Sequence, residues 1–268
     1  MKMSRDFNQV YMSPALNDFK KDFKEKWQLE EYSDPNAPSV FFGMYGQPDV
    51  DIFMQHKGKK IVVWGGNDMH DGQLRLVKKY IDEGYAYTFA PPGEFDKILT
   101  NYNISHKTCY IPNKDYSKFK ATPLGENIYI YMGRPDNPRP EYFKFNEVVA
   151  PLVEVFGEDR VKWVVKEEKQ TLPIDELVEK YYNDCFVFVK PHERGGVTSM
   201  YDLAHMGRKT IGKGEVGLPN YIEYSDINNL LELIMEESKF IGQVREDVAS
   251  SLDDHFLGDE WLSFNFWK

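Results

Sequence analysis

Apolar residues between Ser39 and Pro112 come in short bursts separated by amphipathic stretches. "SVFFGMY" and "KKIVVWGG" each hold an unbroken apolar run, and "YAYTFA" one broken only by Thr88, the pattern of buried strands. "PDVDIFMQHKG", "DGQLRLVKKYIDEG" and "GEFDKILTNYNI" carry apolar residues at helical spacing, and "KTCYIP" closes the series as a strand. The first 38 residues read as irregular apart from one helix, in which Leu16, Phe19, Phe23 and Trp27 share a face.

A second series follows a polar, turn-rich stretch at 113–127, which reads as a linker. Its strands are "NIYIYMGR", "RVKWVV", "CFVFVK", "KTIG" and "NYIEYS". Its helices are "PEYFKFNEVVAPLVEVFG", bent at Pro151, "LPIDELVEKYYN", one starting near Thr198 or Ser199, and "DINNLLELIMEE", capped by Ser225 or Asp226. Strands alternating with helices predict parallel sheets covered on both faces. The expected fold is α/β: two Rossmann-type parallel-sheet domains, 1–120 and 121–268, facing a cleft. Ligands bind such sheets at the carboxyl ends of the strands. The aromatic-rich tail "WLSFNFW" reads as core packing or as cover returning toward the first domain.

Charge adds an asymmetry. Residues 1–120 hold 17 Lys+Arg against 16 Asp+Glu, and residues 121–268 hold 16 against 27. A general nucleic-acid binder would show a basic field, which is missing here, although a local groove on the first half stays open. Cys109 and Cys185 lie in apolar runs and read as buried free thiols of a reducing compartment. There is no metal-type Cys/His spacing, no apolar leader and no run of membrane-spanning length, so a cytoplasmic protein is expected.

The chemistry concentrates in "KPHERGGVTSMYDLAHMGRKTIG", 190–212. A loop with Gly195 and Gly196 leaves a strand at Lys190 and enters a helix at Thr198 or Ser199. Free N–H groups and the positive end of the helix dipole gather at such a place, and glycines let a phosphate approach the backbone. Lys190 and Arg194 add charge, and Asp202 is placed to accept hydrogen bonds from a ribose. The alternative is structural: Ser199-x-x-Asp202 also spells a capping box. "NIYIYMGRPDNPRP" ends another strand with Gly133 and Arg134, Arg139 following. Two basic loops on one edge can clamp a diphosphate.

The order of these motifs resembles the GT-B glycosyltransferases, in particular the family-4-like (group 1) enzymes. "RGGVTSMYDLAHMGRKTI" is similar to their "E-G-x-G-x-x-x-x-E-A-x-A-x-G" segment, and "HKGKKIVVWGGNDMH" to their "hkGkkvihwiGtD" stretch. The resemblance covers roughly 39–240. It implies a nucleotide diphosphate sugar as donor, with no other cofactor and no metal. Asp202 falls at the ribose-binding acid, and Arg134 at the arginine that meets the diphosphate, with Lys190 as its partner. Gly195 and Gly196 would present N–H groups to the donor. Gly65, Gly66, Asn67 and Asp68 would line the cleft, and Asp68, His70 or Asp71 would serve as base on an acceptor hydroxyl. The position eight before Asp202 is Arg194 where the family has an acid, which leaves a retaining or inverting outcome open. The acceptor could be a glycan, a protein or a hydroxymethylated DNA base. The competing reading is a non-catalytic nucleotide- or ligand-binding protein of two α/β domains.

Overall fold

A computed structural model describes residues 5–130, 141, 144–163, 173–191, 197–214 and 216–268. The chain divides into two compact units, Met1–Asp115 with His255–Lys268, and Tyr116–Asp254. No helix among the described residues is long and apolar enough to cross a membrane.

The first unit holds strands β1 (Gln9–Met12), β2 (Glu30–Glu31), β3 (Ser39–Phe42), β4 (Lys60–Val63), β5 (Ala86–Ala90) and β6 (Lys107–Thr108). They form one all-parallel sheet in the order β2-β1-β3-β4-β5-β6. Its helices are α1 (Asn17–Trp27), α2 (Gln47–Gln55), α3 (Asp71–Asp82) and α4 (Glu94–Asn101). Alternation along each strand feeds two cores. Val40, Phe42, Ile61 and Val63 meet Phe23 and Trp27 of α1 on one face, while Phe41 and Val62 meet Phe53, Leu74, Val77 and Leu99 on the other.

β1 lies in the stretch expected to be irregular. "QVYM" is four residues long and runs at once into Ser13-Pro14, too short for alternation to register. The C-terminal segment completes the first core. Trp261 and Leu262 are fully buried, the Leu262 carbonyl accepts from the Asp6 and Phe7 amides at 2.9 and 3.1 Å, and Trp267 stacks on Tyr87.

The second unit holds β7 (Asn127–Ile130), β8 (Val161–Trp163), β9 (Cys185–Lys190), β10 (Lys209–Gly212) and β11 (Tyr221–Glu223), all parallel, in the order β11-β10-β9-β7-β8. Between them run α5 (Ala150–Phe156), which follows a π-turn at Phe145–Val149, α6 (Ile174–Leu177), α7 (Val197–His205) and, after β11, α8 (Ile227–Ser238). Pro151 comes directly after the π-turn, so the irregular spacing of the helix falls where the proline withholds its N–H. Asp226 caps α8 by accepting from the Asn229 amide at 3.0 Å. One sheet face packs Ile128, Ile130, Val187, Val189 and Ile211 against Leu152, Leu230 and Ile234. Both sheets have the doubly wound order, so each has a point where the winding reverses: between β1 and β3 in the first, between β7 and β9 in the second.

Candidate functional site

In the second unit the reversal point falls between the carboxyl ends of β7 and β9. Lys190 is the last residue of β9 and is only 1% exposed. Alternation turns it away from the face that carries Val187 and Val189, toward the side where Tyr129 packs against Tyr182 and Phe188. Asp202, on α7, is also 1% exposed. A lysine and an aspartate taken this far out of water are costly unless each is partnered, and each has a partner in the structure, so their burial makes them candidates for a site without assigning one.

α7 is already helical at Val197, which places Ser199 inside the helix and not at its cap. Ser199 and Asp202 therefore do not form a capping box; the Ser199 hydroxyl lies 3.1 Å from the Tyr182 hydroxyl. Thr198 is half-buried in the first turn of the same helix. Arg134, Arg139, Arg194, Gly195 and Gly196 lie outside the described residues. By chain connectivity, residues 131–140 follow β7 and residues 192–196 follow β9.

One buried carboxylate, Asp49, sits at the first unit's reversal point, and a second, Asp68, sits at the neighbouring ends of β3 and β4. Asp49, in the first turn of α2, accepts from the Tyr11 hydroxyl (2.7 Å), the Ser13 hydroxyl (2.9 Å) and the amides of Tyr45 (2.8 Å) and Gly46 (3.0 Å). Asp68, fully buried after β4, accepts from the amides of Met44 (3.0 Å), Gly65 (3.0 Å) and Gly66 (2.9 Å). Burial pushes the Asp68 carboxyl up, and those three amide bonds pull against the rise. Asp68 thus ties the loop after β3 to the loop after β4. The cap position of α3 is His70, not Asp68.

The three residues expected to act as base stand in different surroundings. Asp68 faces inward and is committed to amides. Asp71 is exposed, and Arg75 (2.9 and 3.0 Å), then the Tyr102 hydroxyl (2.9 Å), hold its carboxyl below the usual range. His70 is exposed, and its ring makes no hydrogen bond among the described residues.

Sequence reasoning missed Tyr45 and Asp49. Their signal is in "GMYGQPD", a glycine-flanked turn, then Pro at the first helical positions and an acid three residues past Gly46, the grammar of a helix start. Tyr45 is half-buried and its hydroxyl makes no hydrogen bond among the described residues. Burial first, then the Asp68 and Asp49 carboxylates, push its phenol up, so it stays a donor. The ring lies across Gly65: a Cβ there would run into the Tyr45 hydroxyl and come within 3.0 Å of its Cζ. Gly66 has φ +110°, which a side-chain-bearing residue rarely adopts, and the Phe95 ring stands 3.6 Å from where its Cβ would be.

A further buried cation went unforeseen. Arg208, fully buried before β10, donates to the carbonyls of Thr122, Pro123, Asn183, Cys185 and Met206 and to the Thr122 hydroxyl. It binds the end of α7 to the start of β9. No protein-family model matches the chain, and no curated protein matches it in sequence.

Proposed function

We propose that this chain is a glycosyltransferase of the GT-B type, moving a hexosyl or pentosyl group from a nucleotide diphosphate sugar to an acceptor hydroxyl. The observation that carries the reading is the burial of Lys190 at the end of β9, at the reversal point of a doubly wound sheet where open α/β sheets bind nucleotides, and of Asp202 on α7, the helix that follows. Asp202 accepts from the ribose hydroxyls. Lys190, together with Arg134 and Arg194 from the segments after β7 and β9, meets the diphosphate. Gly195, Gly196, Thr198 and Ser199 give the phosphates the amino end of α7. Departure of the nucleoside diphosphate puts negative charge on its terminal phosphate, and fixed cations and amides at that point lower the barrier. Arg139 adds to the same positive field.

His70 is the base in this scheme. Its ring nitrogens are uncommitted among the described residues, whereas Asp68 is spent on amides and Asp71 on Arg75. The test is a pair of calorimetric titrations, with a ribonucleoside diphosphate and its 2',3'-dideoxy form, on the parent and on Asp202→Asn. The parent should prefer the ribo form and the variant should lose that preference, because a neutral amide accepts less strongly than a carboxylate. An unchanged preference in the variant refutes the ribose role.

A further inference from the structure

We propose that the carboxyl edge of the first unit is a binding site for a neutral, hydroxyl-rich sugar ring, and that Tyr45 is its specificity-determining residue. As the acceptor of the transfer, this sugar rests on the function proposed above; as a ligand, it rests on the first unit alone.

The edge is a rim set on a rigid base. Asp49 and Asp68 together draw five backbone amides inward, those of Met44, Tyr45, Gly46, Gly65 and Gly66, so neither loop offers those donors to a ligand. What remains at the surface is Tyr45, Gly65, Gly66, Asn67 and His70, with Phe95 against Gly66. Two half-buried rings beside two glycines make a shallow apolar platform, and the Tyr45 hydroxyl, Asn67 and His70 are polar groups without partners among the described residues. A small-molecule site has this composition: mostly apolar and aromatic lining with a few placed polar groups.

Charge selects the class of ligand. Two carboxylates lie beneath the rim, and the groups that donate to them among the described residues are loop amides and the hydroxyls of Tyr11 and Ser13, none of them a cation. A phosphate or carboxylate on the ligand would meet this negative base, whereas neutral hydroxyls would not. The same argument disfavours a DNA backbone at this edge. The rim needs Gly65 to be glycine, because a methyl group would push the Tyr45 ring away from the loop.

The experiment is saturation-transfer NMR on the full chain. The probes are the methyl glycosides of glucose, galactose and N-acetylglucosamine, glucose 6-phosphate as the anionic counterpart, and a single-stranded DNA oligonucleotide. At least one neutral glycoside should bind, and glucose 6-phosphate and DNA should bind more weakly. Tyr45→Phe removes one oxygen and should weaken glycoside binding about tenfold, the loss of one well-placed hydrogen bond. Gly65→Ala should abolish it, with nucleoside diphosphate binding unchanged in both variants. Absence of binding by all three glycosides, equal affinity in Tyr45→Phe, or tighter binding of the phosphate or the DNA overturns the proposal. Lost glycoside binding with intact nucleotide binding fails this site alone. Intact glycoside binding with no nucleotide binding fails the transferase reading alone.

Discussion

His56 offers a sharp test of the packing of the first unit. It ends α2 at 2% exposure; Nδ1 faces the Tyr32 hydroxyl at 3.2 Å, Nε2 has no hydrogen-bond partner among the described residues, and Phe41 and Tyr32 wall the ring. The Lys60 ammonium is bound to the His56 carbonyl at 2.8 Å. Burial, then the Lys60 charge, lower the imidazole from 6.5 to about 4. The unfolded chain therefore takes up a proton between pH 6.5 and 4 that the folded chain refuses. Stability is complete above pH 6.5 and is lost as pH falls toward 4, by roughly 3 kcal/mol at the lower end. The depressed carboxyls Asp34, Asp71 and Asp96 start from 3.8, so most of their contribution is lost below this window.

The assay is urea unfolding followed by tryptophan fluorescence, since Trp27, Trp64, Trp261 and Trp267 all lie in the first unit and only Trp163 lies in the second. His56→Phe should flatten the pH dependence between 6.5 and 4, whatever its offset in absolute stability. Lys60→Met should raise the imidazole and shrink the slope, because the neighbouring positive charge is gone. Equal slopes in the parent and His56→Phe would refute the reasoning.

Two other perturbations follow from the same kind of bookkeeping. Arg208→Met leaves five carbonyls without their donor in a dry interior and should cost about 3–5 kcal/mol in thermal or urea unfolding of the second unit, with Arg208→Lys recovering only part of it. Trp261→Ala opens a hole between Trp27, Phe23 and Phe89 and should cost about 3–5 kcal/mol in the first unit, although the residue lies at the far end of the chain; a loss confined to the second unit would contradict its place in the first core.

Much of the α/β pattern was legible because buried parallel strands announce themselves. β3, β4 and β9 are runs of four to six residues in which every residue is buried, and the chain spells them as unbroken or nearly unbroken apolar words. β1 was not legible, since four residues before a proline carry no period. In the stretch 190–212 the strand end at Lys190 and the helix that follows were readable, while the glycine pair lies outside the described residues. Its capping-box alternative failed because spacing alone does not say where a helix begins, and α7 is already under way two residues before Ser199. The carboxylates of the first unit were legible as acids in glycine loops but not as anchors. Which amides an aspartate accepts from is fixed by loops brought together from β3 and β4, and no local pattern in "GGNDMH" encodes that meeting. Arg208 was hidden for the same reason: its acceptors come from residues as far back as Thr122.

The central claim is transfer of a sugar, and turnover of a labelled donor tests it most directly. The full chain would be incubated with sugar-labelled UDP-, GDP-, ADP- and TDP-hexoses and pentoses, and the label followed into free sugar or into a neutral glycoside acceptor. The account predicts release or transfer from donors of one nucleotide, sharply reduced in Lys190→Met, where the leaving diphosphate loses a buried cation. Nucleoside diphosphate binding with no turnover of any donor would contradict it and leave a protein that binds nucleotides without catalysis.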